Sequence, residues 1–231
     1  MPHIEHPETM HEQLFISELF YSIQGESTRA GLPCLFIRLA GCNLRCTYCD
    51  AAYTWQEPGT VMRISDICAT IAKTPDVLVE ITGGEPLAQA GVYPLMQALL
   101  NSDRRVLLET NGSLSLCGVP DAVTIIMDVK CPGSGMASAN LLGNLALLRE
   151  RRARQCTDEI KFVLSSRDDF HWAHAMVLRE RLDHVAPVLF SPVRPGLDPA
   201  TLAQLLLDHR INVRLQLQLH TLLWPGQSRG V

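Results

Sequence analysis

Three cysteines stand close together in Cys42-Asn43-Leu44-Arg45-Cys46-Thr47-Tyr48-Cys49-Asp50, spaced C-x3-C-x2-C. Thiolates at this spacing can each hold one iron of a 4Fe-4S cluster, and such clusters ordinarily take four cysteine ligands. No fourth cysteine lies nearby to complete the set. One iron is then open to a small molecule, which suggests chemistry at the cluster rather than simple electron storage. A structural zinc site is the simplest competitor. Zinc is closed by four ligands, usually two pairs of Cys or His, and here the second pair is missing, with His11 and His171 both remote in sequence. Cysteines also pack as small hydrophobes, but the turn-forming Gly41-Cys42-Asn43 and the charged Arg45 and Asp50 fit a ligand loop better than a core.

The rest of the chain must position that loop. Its 231 residues are 47% hydrophobic and 19% charged, the balance of a globular protein with a sizeable core. A net charge of -4 and a pI near 6.0 argue against a nucleic-acid partner, whose phosphates need a basic face. No apolar run is long enough for a transmembrane helix. The polar start MPHIEHPETMHEQ lacks the basic-then-apolar order of a signal peptide, so a cytoplasmic location is expected. Eight cysteines in such a chain point to metal chemistry rather than disulfides. Of these, Cys34, Cys68, Cys117 and Cys156 sit in apolar contexts and read as packing residues. Residues 1–13 read as a polar arm carrying His3, His6 and His11, and residues 14–231 as a single domain.

The hydrophobic pattern predicts strands at 14–24, 34–39, 77–82, 105–109, 122–129, 159–164, 185–190 and 212–219. It predicts helices at 63–73, with Ser65 as N-cap, and at 88–100, 140–152, 168–182 and 199–209. The basic end of the third of these, Arg149 to Arg154, suits a helix C-terminus and a solvated face. Strands alternating with helices imply a parallel sheet with right-handed crossovers. Gly-rich or polar segments fall repeatedly just after strands, where α/β folds place their sites. The strands are too few for an eightfold barrel, so the expected fold class is α/β, a partial, open β/α barrel.

One such strand end, Thr82-Gly83-Gly84-Glu85-Pro86, combines glycines that admit a ligand close to the backbone with exposed backbone edges that can bond an amino acid's amino and carboxylate groups. By itself this is an ordinary strand-to-helix turn. Placed one βα unit after C-x3-C-x2-C, it resembles the pattern of the radical S-adenosylmethionine (SAM) superfamily. In that superfamily the open iron chelates SAM, and one electron from the cluster splits the sulfonium to release a 5'-deoxyadenosyl radical. The resemblance implies a 4Fe-4S cluster on Cys42, Cys46 and Cys49. It implies SAM contacts at Tyr48, Cys49, Asp50, Gly83, Gly84, Glu85, Glu109, Asn111, Lys130, Ser191, Pro192 and Val193.

A longer ordered set lies upstream: Tyr21-Ser22-Ile23-Gln24-Gly25-Glu26, Gly31-Leu32-Pro33, Phe36-Ile37-Arg38-Leu39 and Gly41-Cys42-Asn43. With Gln216-Leu217-Gln218-Leu219-His220, read as a strand, and Arg229-Gly230-Val231, it resembles the 7-carboxy-7-deazaguanine synthase family of queuosine biosynthesis. That resemblance implies 6-carboxy-5,6,7,8-tetrahydropterin as substrate, hydrogen abstraction at its C6, ring contraction and loss of ammonia, with SAM regenerated. It places substrate contacts at Ile23, Gln24, Gly25, Glu26, Arg38, Thr82 and His220. It also implies magnesium (Mg2+) at the substrate carboxylate, an electron donor such as flavodoxin or ferredoxin, and a homodimer. The residue chemistry agrees: Arg38 can fork onto a carboxylate, unless it forms an internal salt bridge to Glu26 or Asp50. Gln24 can read a pterin's donor-acceptor edge.

Several positions depart from the family pattern. Ala51 stands where a hydroxyl contacts magnesium, Ser27 where Gly is usual, and Thr221 where Lys is common. Six residues follow Pro225, where some relatives bind substrate with a terminal carboxylate. An activase that places a glycyl radical on a partner protein would share the cluster loop but leaves Gln24 and Arg38 unexplained. A non-catalytic iron-sulfur or zinc module is the other alternative.

Overall fold

A computed structural model of the chain describes residues 12–74 and 76–231; His3, His6, His11 and most of the predicted arm lie outside them. Strand β1 (Gln13–Ile23) pairs antiparallel with both β2 (Pro33–Leu39) and β3 (Thr60–Arg63). From β2 onward every pairing is parallel, through β4 (Leu78–Gly83), β5 (Val106–Thr110), β6 (Thr124–Asp128), β7 (Glu159–Leu164), β8 (Val188–Pro192) and β9 (Arg214–Leu215). The order across the sheet is β3-β1-β2-β4-β5-β6-β7-β8-β9, and it does not close. The open β/α barrel is therefore present. The all-parallel sheet is not, because the link from β1 to β2 is shorter than the dozen or more residues that a parallel crossover needs.

Both faces of the central strands are covered, which explains their nearly continuous apolar runs. On the outer face Leu35, Ile37, Val79, Ile81, Leu108 and Ile125 pack under α2 (Ile64–Ile71), α3 (Val92–Asn101), α4 (Gly143–Ala153) and α5 (Arg167–Glu180). Helix α6 (Pro199–His209) extends that layer through Leu202 and Leu205. The alternate residues Cys34, Phe36, Leu78, Leu107 and Ile126 form a smaller cluster on the opposite face, with Phe20 stacked on Phe36 at 5.0 Å between centroids.

Helix α6 has the predicted bounds: Pro199 opens it and the Asp198 side chain accepts from Thr201 N at 3.0 Å. Other elements differ. Helix α2 begins at Ile64 with Arg63 as its extended N-cap, so Ser65 lies inside the first turn. The helix predicted over 88–100 is a 3-10 turn at Pro86–Ala88 followed by α3, because the Glu85 side chain caps the earlier turn by accepting from Leu87 N. A 3-10 turn at Leu182–His184 delays β8 to Val188. Of the predicted last strand only Arg214–Leu215 pairs, and His220 lies on the short α7 (Leu219–Leu223). The one-turn α1 (Tyr53–Gln56) and strand β3 were not predicted.

The basic end of α4 is not uniformly solvated. Arg151 is only 3% exposed: its Nε and Nη2 donate to Asp158 at 2.7 and 3.0 Å, and its remaining donors reach the Val119 and Val123 carbonyls. Cys34 and Cys156 are buried as expected and Cys68 is half-buried, but Cys117 is exposed.

Candidate active site

A cavity of about 600 Å³ opens at the carboxyl ends of the strands, and Cys42, Cys46 and Cys49 all line it. Their loop follows β2 directly and is clamped from both sides. Thr47 donates its N–H to Ser134 O at 3.0 Å and its hydroxyl to Gly133 O at 2.7 Å. Arg45 donates to the Cys42 and Leu44 carbonyls and lays its guanidinium 4.2 Å from the Trp55 ring. The Gly83-Gly84 turn closes against the start of the loop, Gly84 N donating to Leu39 O and Glu85 N to Gly41 O. A Cβ on Gly84 would lie 1.9 Å from Gly41 O, so only glycine permits this approach.

The residues present fit a 4Fe-4S cluster. All three thiols are free and face one cavity, and two N–H groups already point at Cys42 Sγ: Leu44 N at 3.4 Å and Asn111 Nδ2 at 3.8 Å. Among the described residues no three Cys, His, Asp or Glu side chains gather tightly enough to hold one metal ion. A cubane instead spreads its thiolates over separate irons. Burial raises the Cys46 and Cys49 thiols; the Lys130 charge opposes this at Cys46, and at Cys49 the Ala51 backbone N–H does so first and Lys130 less, each favouring the thiolate that iron requires.

Deeper in the cavity lies a network of charges. Lys161, projecting from β7, bridges Glu26 at 2.5 Å and Glu109 at 2.7 Å. Burial alone would raise Glu109. The charge and hydrogen bond of Lys161, the Thr82 hydroxyl at 3.0 Å and Arg38 outweigh it and hold the carboxyl down at about 2. Glu80, 3% exposed, forms no ion pair among the described residues, and the Lys161 charge is only a lesser downward pull on it. Burial first, then the Glu109 and Glu26 carboxylates, push it well above the usual carboxylate range. Nearer the cysteines, Lys130 pairs with Asp128 at 2.6 Å, which raises its pKa against the pull of burial.

Among the predicted substrate residues, Ile23, Gln24, Gly25, Glu26, Arg38, Thr82 and His220 all line the cavity. Gln24 is already engaged: its Oε1 accepts from Glu26 N at 2.9 Å and its Nε2 contacts the Glu80 carboxyl. Arg38 pairs with neither Glu26 nor Asp50. Among the described residues its ion-pair partner is Glu18 at 3.5 Å, and its buried Nε has no hydrogen-bond partner. The predicted SAM residues Tyr48, Asp50, Gly83, Gly84, Glu109, Asn111, Lys130, Pro192 and Val193 share the same cavity. Glu85 and Ser191 do not line it. Glu85 is fully buried beneath the wall, accepting from Thr110 Oγ1, Asn111 N and Leu87 N. Ser191 is buried, its hydroxyl without a hydrogen-bond partner among the described residues.

Sequence reasoning missed Glu80, Lys161, Asp128, Tyr53 and Trp55, all of which line the cavity. For Glu80 and Lys161 a signal existed: Glu80 is the one charge inside β4, and Lys161 stands between the apolar Ile160 and Phe162 of β7. The C-terminal segment closes one side. Gln216 and Gln218 donate to Glu26 at 2.8 and 3.1 Å, and Leu219 N donates to Gly25 O. Farther on, Arg229 pairs with Glu57 and lies 4.3 Å from the Tyr53 ring centroid.

Residues 36–132 match the model of the radical SAM superfamily. The 7-carboxy-7-deazaguanine synthase of Chlorobaculum tepidum is 43% identical, the alignment covering 94% of this chain and 97% of that protein. The chain belongs to the 7-carboxy-7-deazaguanine synthase family. The synthase of Koribacter versatilis is 41% identical over 94% of this chain and 99% of its own length. The crystal structure of QueE from Escherichia coli superposes with a TM-score of 0.72 over 94% of this chain and 99% of that one, at 22% identity. As a member of this family the chain is a radical SAM enzyme, and the family implies the cluster and SAM for which the cysteine loop is built. The glycyl-radical activase reading is not favoured by these relatives.

Proposed function

We infer that this enzyme converts 6-carboxy-5,6,7,8-tetrahydropterin to 7-carboxy-7-deazaguanine with loss of ammonia, in 7-deazapurine (queuosine) biosynthesis. The observation that carries the reading is Arg38: a guanidinium with an unsatisfied buried Nε, in the same cavity as the three cysteines. An arginine in that state is completed by a carboxylate, which its planar fork takes bidentately. When bound, the cluster and SAM supply the hydrogen abstraction at the substrate's C6. The chain's own part is to hold the substrate between Arg38 and the floor, to keep Glu109 ionised through Lys161, and to shield the centre with the C-terminal segment. Gly83 and Gly84 would hold the methionyl group of SAM, Asn111 its ribose, and Pro192 and Val193 its adenine side, with Lys130 as a further SAM contact.

Magnesium does not fit this loop in the way the resemblance implies. Position 51 is Ala, and the nearby Thr54 hydroxyl is spent on Ala51 O at 2.8 Å. The substrate carboxylate is left to Arg38. Among the described residues no helix is long and apolar enough to cross a membrane. A cytoplasmic homodimer, reduced by a flavodoxin or ferredoxin, completes the reading. It is supported by a sheet left open at both edges and by Phe15 and Val61, which are paired in register and exposed beside one edge.

The deciding experiment is anaerobic reconstitution followed by incubation with SAM, reductant and the carboxypterin. Formation of 7-carboxy-7-deazaguanine, detected by mass, is the expected result. SAM cleavage without consumption of the pterin would overturn the assignment.

A further inference from the structure

The two strands that flank the cavity form a ladder whose second rung has no assigned role. Arg38 on β2 stands opposite Thr82 on β4, and two residues deeper Phe36 stands opposite Glu80. Two residues along a strand span about 6.6 Å. The upper rung thus offers a cation for a carboxylate, and the lower one an aromatic wall and a carboxyl group. That separation matches the length of a fused two-ring heterocycle, measured from a carboxylate on one ring to the polar edge of the other.

Gln24, the residue expected to read that edge, has both ends of its amide engaged. Lys161 is taken by Glu26 and Glu109. Glu80 is left as the acid on the floor with no ion pair among the described residues, and burial beside two carboxylates outweighs the Lys161 charge and favours its neutral form. A neutral carboxyl offers one donor and one acceptor, the complement of a lactam's carbonyl and N–H.

We propose that Glu80 is a specificity-determining residue that pairs with the lactam edge of the pterin ring. One carboxyl oxygen accepts from the ring N–H and the hydroxyl donates to the ring carbonyl, while Arg38 holds the carboxylate at the other end. The proposal rests on the substrate reading above, and Gln24 becomes the residue that orients Glu80 rather than the reader of the substrate.

The test compares 6-carboxy-5,6,7,8-tetrahydropterin with its N3-methyl analogue, which lacks the ring N–H. Dissociation constants are measured by anaerobic calorimetry on SAM-loaded holoenzyme. A site built around a substrate N–H rejects the analogue that lacks it, so the wild type should prefer the parent by more than about tenfold. Glu80→Leu should reduce that preference to below about threefold while keeping its iron content and SAM affinity. Glu80→Gln, which retains a donor and an acceptor, should keep the preference. If Glu80→Leu weakens both ligands by the same factor, Glu80 only shapes the floor and the proposal is overturned. Loss of the preference in Glu80→Gln overturns it equally, and needs no folded Leu variant. Failure of the wild type to bind the carboxypterin at all would sink the substrate reading as well, so the two failures are distinct.

Discussion

Arg38 enters the cavity from β2 with a neighbouring carboxylate, Glu18, too distant for a good hydrogen bond and a Phe20 ring 5.7 Å from its guanidinium carbon. Packing alone does not satisfy it, so its truncation should cost ligand rather than fold. Arg38→Ala is expected to keep its cluster and SAM binding and to lose about 2–5 kcal/mol of carboxypterin affinity. Normal substrate binding with a lowered melting temperature would make it a structural residue instead. Replacing Cys42, Cys46 or Cys49 by Ala should abolish both bound iron and SAM cleavage; full SAM cleavage in any of the three would remove that cysteine from the ligand set. Glu80 carries a pH signature of its own. Its folded pKa is raised above the unfolded value of about 4.3. Between those two values the folded state keeps a proton that the unfolded state has lost, so stability falls as pH rises, by up to about 1.4 kcal/mol per pH unit. Glu80→Gln has no such group. Its unfolding free energy should therefore gain on the wild type between pH 5 and pH 8, and denaturant titrations giving a constant difference would refute the raised pKa.

At the scale of elements, the cluster loop depends on what packs against it. The Gly83-Gly84 turn at the end of β4 carries two backbone hydrogen bonds to the residues that enter the loop. Gly84→Ala places a methyl on a backbone carbonyl that cannot rotate away. The expected consequence is displacement of Cys42 and a loss of SAM cleavage of about a hundredfold, as misplacements near 1 Å produce. Iron content and turnover measured together check it, and unchanged values would show that the loop yields without harm. On the far side of the sheet, Arg151 of α4 and Asp158 before β7 tie a helix end to the strand that carries Lys161. Asp158 also accepts from Ile125 N at 2.9 Å, so losing its cation strands a buried charge in the sheet. Arg151→Met is expected to cost about 3–5 kcal/mol of stability, read from the denaturant midpoint.

The whole molecule is a half-open ring closed on one side by its own C-terminal segment. Gln216 and Gln218 bring that segment onto Glu26, and Gly226, Gln227, Ser228 and Val231 line the cavity beyond α7. Deleting residues 226–231 should leave the cluster and uncoupled SAM cleavage intact while raising the KM for carboxypterin by roughly tenfold, the worth of about one lost hydrogen-bonded contact. An unchanged KM would mean that the segment only covers the site.

The sequence alone determined the features that depend on local spacing. C-x3-C-x2-C and the strand-end GGEP marked two segments that the fold brings to one cavity, and alternating apolar runs predicted most of the strands and the open barrel. These are short-range signals, set by side-chain periodicity and turn chemistry within a few residues. What tertiary structure decided are the pairings between distant segments. The antiparallel start of the sheet came from a link too short for a crossover, and the last predicted strand kept only Arg214–Leu215 before turning into a helix where Leu219 meets Gly25. Glu85 went beneath the cavity wall because Thr110 and Asn111 offered it three-dimensional partners that its neighbours in sequence could not. Glu80 and Lys161 were visible only as charges between apolar neighbours in β4 and β7. Their meaning appeared once the sheet's parallel register brought β2, β4, β5 and β7 around one cavity, where charge, burial and distance act across the fold rather than along the chain.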